Sequence, residues 1–400
     1  MICIAGKNQI AVDALDFLLE QIDKEQLCVI TNKTDDGVNR WQPSLKAHAQ
    51  QKQVAIVQLE EVYGIENLVF LSLEFDQIIR PKRFASSQLY NIHFSLLPKY
   101  KGMFTSILPI VHGEKESGVT LHRIDRGIDT GEIIDQLAFP IATEDNGRNL
   151  YQNYLDYALV LFKRNIQSLL ENTAKSYPQP IEGASYFSKK ALDFNNLLID
   201  YNKTAYEVHN QLRAFCFRDY QLPNFQGTAI YKTAYTNTVS TVKPKTIVEE
   251  NASYYEITTI DYNIRLYKDY YTVFWEACQE NQLELVKDYL PHLPDINLRN
   301  KKGWNALIIA AYHGHLDLVN YLVEQGADIN SSNYKGTSVL MYAKSATVKA
   351  GEQDFSLLET VLDLGAKLEH CDDTGKNVLD YARENQEITV LDFLQKKQHG

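Results

Sequence analysis

Short apolar runs separated by amphipathic stretches set the rhythm of the first part of the chain. Ile2–Ala5, Leu27–Thr31, Val54–Val57 and Leu68–Leu71 have the length and texture of strands buried on both faces. Between them, Val12–Ile22 and Trp41–Gln51 carry apolar residues at helical spacing. This alternation predicts an α/β fold with an open, mostly parallel, Rossmann-like sheet whose functional loops leave the carboxyl ends of the strands. The Gly6-Lys7-Asn8 turn is such a loop, although neither GxGxxG nor GxxxxGK[ST] is present. Further on, Val119–Ile124 and Ile133–Ile141 read as strands flanking a turn. Asn149–Leu170 reads as a long amphipathic helix, with Leu150, Tyr154, Ala158, Leu161 and Leu169 near one stripe. The acidic, turn-forming Thr143–Gly147 marks its start.

From Tyr186 to about Tyr270 the texture changes to Tyr, Thr and Val with short turns. Ile230–Tyr235 and Tyr254–Leu266 predict strands, the latter a hairpin around Asp261-Tyr262-Asn263, within a small α+β middle domain. The remaining residues repeat. Gly303 and Gly336 stand thirty-three apart, and the unit from Gly303 through Val319 to Gly326-Ala327-Asp328-Ile329-Asn330 is similar to the ankyrin consensus. Phe274–Arg299 is a degenerate earlier unit. Gly336–Glu369 is a stretched third one, with Gly365-Ala366 thirty-nine beyond Gly326-Ala327, and Gly375–Gln398 is a polar, partial cap. The expected organisation is therefore residues 1–185, a catalytic domain; 186–270, the middle domain; and 271–400, an all-α ankyrin repeat domain.

Composition narrows the class. Four hundred residues with 44% apolar content suit two or three domains. A net charge of −11 argues against a nucleic-acid partner, which needs clustered Lys and Arg. The five cysteines show neither CxxC nor metal-ligand spacing, so no metal is expected and the thiols read as core residues of a reducing, cytoplasmic compartment. No apolar run approaches a membrane span, and MICIAGKNQI reads as a buried strand rather than a signal peptide.

The chemistry concentrates in Asn91–Ile134. Asn91 and His93 are two apart, so on a strand their side chains leave the same face. Asp129 joins them if the turn-prone Arg126-Gly127 folds the chain back. An amide donor, an imidazole and a carboxylate converging on one point form an acyl-transfer set. Asn91-Ile92-His93-Phe94-Ser95-Leu96-Leu97-Pro98 followed by Asp129-Thr130-Gly131 resembles the catalytic core of the folate-dependent formyltransferases. Asp125 is a rival for the role of Asp129. Thr105 and Leu108 stand where members of that family often carry Pro and Trp.

The resemblance implies transfer of formyl from 10-formyltetrahydrofolate to a primary amine, without a metal. Asn91 and His93 then stabilise the oxyanion, His93 relays the proton, and Asp129 orients His93. It also implies a folate pocket around Leu71–Gln77 and Asp125–Asp129, with Leu73, Phe75, Ile79, Asp125 and Ile128 as cofactor-binding candidates. Acceptor-side candidates are Asn8, Lys99, Tyr100 and Lys101, and the Arg213–Tyr220 segment with Arg213, Phe217 and Tyr220. That segment looks like the Arg-Ala-Phe stretch of sugar N-formyltransferases acting on dTDP-linked amino sugars. The implied acceptor is a dTDP-amino-dideoxyhexose, 3-amino favoured over 4-amino, used for bacterial surface polysaccharide such as O-antigen by a homodimeric enzyme. Methionyl-tRNA formylation and a non-catalytic ankyrin adaptor are the alternatives. In the repeats, Trp304 beside Lys302, with Tyr312, His313 and Tyr334 in register, forms an aromatic platform next to cations. A second nucleotide-sugar site, a protein partner, or packing against the rest of the enzyme would each suit it.

Overall fold

Strands form where the apolar runs lie. The computed structural model describes residues 1–194 and 197–399. β1 (Ile2–Gly6), β2 (Leu27–Thr31), β3 (Ala55–Ile56), β4 (Val69–Leu73) and β5 (Leu89–His93) pair in parallel in the order β3-β2-β1-β4-β5. The short β6 (Lys101–Gly102) stands apart. β7 (Glu116–Arg123) and β8 (Ile133–Pro140) then extend the main sheet antiparallel beyond β5. β9 (Tyr186–Phe187) returns to pair with β6. Cys3, Ala5, Phe70 and Leu89 anchor one apolar core against the sheet.

Helices α1 (Asn8–Leu19), α2 (Leu45–Lys52), α3 (Leu108–Val111) and α4 (Gly147–Leu170) connect these strands. α1 begins four residues earlier than predicted, because Ile10 and Ala11 are already buried in its first turn. α2 begins four later. Pro43 disfavours helix at the residue before it, and the Ser44 hydroxyl caps the Ala47 N–H. α4 starts with a reciprocal capping box between Asn146 and Asn149.

α5 (Ala205–Phe215) packs on a second, antiparallel sheet in the order β10-β11-β14-β13-β12. Its strands are β10 (Asn224–Phe225), β11 (Thr228–Val239), β12 (Ile247–Glu250), β13 (Tyr254–Ile257) and β14 (Tyr262–Lys268). The hairpin turns before Tyr262, not around it. Asp261 accepts from the N–H groups of Ala205 and Tyr262, tying the turn to the start of α5.

The chain forms two compact units, Met1–Val38 with Gln42–Lys268, and Asn39–Trp41 with Asp269–Gly400. The break expected at 185/186 is absent: β9 pairs with β6, Phe187 stacks on Tyr100, and the middle sheet belongs to the first unit.

Among the described residues, the second unit contains four helix pairs: α6 (Tyr271–Gln279) with α7 (Leu283–Tyr289), α8 (Ala306–His313) with α9 (Leu316–Glu324), α10 (Val339–Lys349) with α11 (Ser356–Asp363), and α12 (Val378–Glu384) with α13 (Ile388–His399). The last segment is thus a full pair rather than a partial cap. Asn305, Ser338 and Asn377 cap successive pairs at equivalent positions. The stretch in the third repeat lies in the long α10 and the loop after it. No helix among the described residues is long and apolar enough to cross a membrane.

Gly6 ends β1 where β4 runs closest: a Cβ there would lie 1.9 Å from the Leu73 carbonyl oxygen. Gly6→Ala should therefore cost about 2 kcal/mol of stability through overpacking. Chemical denaturation of the variant checks this.

Candidate active site

β5 presents Asn91 and His93 on one face, and antiparallel pairing with β7 sets His122 directly opposite Asn91. The loop after β7 supplies the carboxylate. Asp125 shapes that loop by accepting from the Gly127 N–H (3.0 Å) and the Thr130 hydroxyl (2.6 Å), so its own oxygen is engaged in the turn. Asp129 itself sits in the left-handed region at φ 56°. Gln179 donates to the carbonyls of Asp129 and Gly131 and pins the loop from behind. Gly131 must be glycine, since a Cβ there would lie 1.8 Å from the Arg123 carbonyl oxygen.

The side chains then converge. Asp129 Oδ2 accepts from the Gly102 N–H at 2.8 Å and lies 3.5 Å from His93 Nδ1. His93 Nε2–H donates to the Tyr100 carbonyl at 2.8 Å, which leaves Nδ1 as the nitrogen free to take a proton. His122 Nδ1–H donates to the Arg123 carbonyl, so its Nε2 accepts from Asn91 Nδ2 at 3.0 Å. The amide is thereby oriented with its second N–H only loosely held, 3.5 Å from Asp129 Oδ1.

Burial opposes ionisation of Asp129, but His93, His122 and the Gly102 N–H outweigh it and hold the carboxyl at about 2. Burial also pushes the His93 imidazole below its ordinary value. The Asp129 charge and the Tyr100 carbonyl pull it back only in part. The pair is therefore carboxylate and neutral imidazole at neutral pH, ready to accept one proton at Nδ1.

A cavity of about 660 Å³ opens over these groups. Phe75, Ile79, Asp125 and Ile128 line it together with Asn91, His93, His122 and Asp129. An apolar wall facing a few convergent polar groups suits a flat heteroaromatic ligand. Leu73 does not line it: its side chain is in the core, and its carbonyl accepts from the Lys7 N–H.

The acceptor-side residues fare differently. Asn8 Nδ2 donates to Glu74 and to the Tyr151 hydroxyl beside the cavity. Lys99 is exposed and pairs with Glu114. Tyr100 is buried, its hydroxyl bound to Glu114 and His112, and it serves the site through its carbonyl. Lys101 lines a neighbouring cavity of about 560 Å³ instead. Arg213 offers no free guanidinium: it is buried and donates to Asn210 and to the Ala142 and Asp145 carbonyls, clamping the loop before α4. Phe217 is buried against Tyr151 and Tyr220, while Tyr220 is half exposed. Sequence reasoning missed His122 and Glu74, as well as Tyr186, Ser188 and Lys189 at the rim.

In the second unit, Trp304 packs on Tyr312 (4.9 Å) and Tyr342 (5.1 Å), with the Lys302 ammonium 5.7 Å from its ring. Trp275, Lys301, Lys302 and Trp304 line a cavity of about 290 Å³, and the Trp275 indole N–H is buried there with no hydrogen-bond partner among the described residues. Tyr312, His313 and Tyr334 do not line it. His313 stacks on His315, and Tyr334 lies under Arg299.

Residues 21–165 match the formyl transferase family, and residues 274–351 match ankyrin repeats (three copies). The chain is 28% identical over 227 residues to methionyl-tRNA formyltransferase of Fervidobacterium nodosum, covering 54% of this chain and 71% of the relative. Two solved structures match more strongly. WlaRD, a sugar 3N-formyl transferase in the presence of dTDP and 5-N-formyl-THF, is 49% identical over 67% of this chain and 97% of its own, with a TM-score of 0.63. The N-formyltransferase of Helicobacter canadensis, in complex with folinic acid and dTDP-3-aminofucose, is 47% identical over 67% of this chain and 99% of its own, with a TM-score of 0.64.

Asp129→Asn removes the charge that draws the His93 imidazole upward, so its titration should move further toward acid. NMR of the His93 ring across pH reads that shift directly. An unmoved titration would detach the carboxylate from the imidazole.

Proposed function

The chain belongs to the formyl transferase family and is a folate-dependent N-formyltransferase. From that premise we propose that its acceptor is the amino group of a dTDP-linked 3-amino-dideoxyhexose and its donor 10-formyltetrahydrofolate. The observation that carries this reading is near-complete coverage of two proteins, 47% and 49% identical, solved with dTDP or a dTDP-amino sugar and a formylated folate. The product would serve surface polysaccharide such as O-antigen, made from cytoplasmic nucleotide sugars. The methionyl-tRNA reading has weaker support: those relatives are 28% and 29% identical, and the chain is acidic. An ankyrin adaptor on a dead core would not need Asn91, His93 and Asp129 held together. The family resemblance supports a homodimer, which sedimentation of the full chain reads.

When bound, the folate supplies a formyl group on a nitrogen leaving group. Phe75, Ile79 and Ile128 would wall its flat ring against the Asp125–Asp129 loop. The loosely held N–H of Asn91 would meet the charge that develops on the formyl oxygen. His93 would take a proton from the attacking amine at Nδ1 and pass it toward the leaving nitrogen, its transient positive charge matched by Asp129. Once the nucleophile is a free amine, a single donor and a single acid–base group suffice for the transfer itself.

Mass spectrometry of reactions with a panel of dTDP-3-amino and dTDP-4-amino sugars tests the acceptor. A gain of one formyl group on a 3-amino sugar is expected, reduced about a thousandfold in His93→Ala. No transfer to any of the sugars would defeat the reading.

We further propose that the cavity between Trp275 and Trp304 binds a second nucleotide. An aromatic face, two lysines and an unpartnered indole N–H support it. Calorimetry of dTDP binding should give two sites per chain, falling to one in Trp304→Ala. A single site in the unaltered protein would refute this.

A further inference from the structure

Glu74 follows β4 and is turned off the strand at φ 58°, a conformation that costs a non-glycine residue about 1 kcal/mol or more. The last register pair between β4 and β5 is Leu73 with Ile92, so Glu74 is level with His93 on the neighbouring strand. It lines the cavity that holds Asn91, His93 and Asp129. Its carboxyl accepts from Asn8 Nδ2 at 3.0 Å and from the Tyr151 hydroxyl at 2.9 and 3.0 Å. Two neutral donors fix it in place, yet no cation forms an ion pair with it among the described residues. The other cavity carboxylates on the Asp125–Asp129 loop are engaged, Asp125 in its own turn and Asp129 with His93 and Gly102. A desolvated carboxylate without a counter-ion is costly, and a cation arriving from solution relieves that cost.

The reaction delivers such a cation. An aliphatic amine titrating near 8 reaches the site mostly as ammonium at neutral pH, and it must lose a proton before it can attack. We propose that Glu74 receives the ammonium group of the acceptor and takes that first proton. The carboxylate becomes a carboxylic acid and the ammonium becomes a free amine. The second nitrogen proton then goes to His93, and Glu74 releases its own to water after the product leaves. This assignment rests on the amino-sugar reading above and deepens it.

Lys7, Tyr151 and Tyr220 are the titratable groups that bear on Glu74 from other elements, with His93 level beside it. Burial pushes the Glu74 carboxyl above the usual range, against the Asn8 and Tyr151 hydrogen bonds and the Lys7 charge, which brings it nearer the amine it would deprotonate.

The test is kcat/KM for the dTDP-3-amino sugar across pH 6.5 to 9.5 at saturating folate, in the full chain and in Glu74→Gln. The variant keeps the side chain's shape but must wait for amine already free in solution. It should be at least about tenfold slower at pH 7 and rise about tenfold by pH 9 as that amine deprotonates, closing on the unaltered enzyme. Equal rates, or a loss that is the same at every pH, would overturn the assignment. Tyr151→Phe decides the matter if the first variant does not fold. Losing a hydrogen bond that lowers the Glu74 pKa, it should move the acid limb of the profile upward, and an unmoved limb again refutes the proposal. Transfer to no amino sugar by the unaltered enzyme overturns the acceptor reading itself, which distinguishes the two failures.

Discussion

An ionised carboxylate has to persist beneath the surface of the first unit, and much of the architecture follows from surrounding Asp129 with groups that favour its charge. One comes from the Gly102 backbone, and that N–H is held in place because β6 is paired to β9. Two imidazoles come from β5 and β7, strands made neighbours by the switch from parallel to antiparallel pairing. The left-handed backbone of Asp129 is tolerated because Gln179 grips the loop on both sides of it. Four stretches of chain therefore meet at one side chain. Residues 186–187, which look like the start of another domain, belong with the first unit because they hold the Gly102 N–H in place.

The elements with strong period were legible in the sequence. Apolar runs placed the first four parallel strands to within two residues, and the repeat period exposed the helix pairs. Asn91, His93 and Asp129 were legible because two spaced motifs supported one another. What escaped was set by partners far away in the chain. Arg213 resembles a phosphate ligand until the Ala142 and Asp145 carbonyls appear beside it. Tyr100 resembles a substrate contact until its hydroxyl is seen bound to Glu114. Nothing in a sequence tells a guanidinium serving backbone carbonyls from one serving a ligand, because both want the same residue. His122 was invisible for a related reason: it matters through the cross-strand register that sets it opposite Asn91 and beside Asp129.

The same burial acts in opposite senses on the two groups that would handle protons. Removing water penalises whichever form is charged, so it raises the Glu74 carboxyl and lowers the His93 imidazole. Burial in one cavity thus makes the carboxylate a better base and the imidazolium a better acid, without a dedicated device for either. Asp129 lies in that cavity too and escapes the effect only because the two imidazoles and the Gly102 N–H around it more than compensate for lost solvent. The difference between a carboxylate that stays charged and one placed to take a proton is therefore the number and kind of the groups around it. Asp129 has two imidazoles and a backbone N–H against it, whereas Glu74 is held by an amide and a phenol, with the Lys7 charge acting on it besides. Under the proposed chemistry, a cationic amine entering the cavity would meet at Glu74 a carboxylate held by an amide and a phenol, one strand away from the imidazole that would take its second proton.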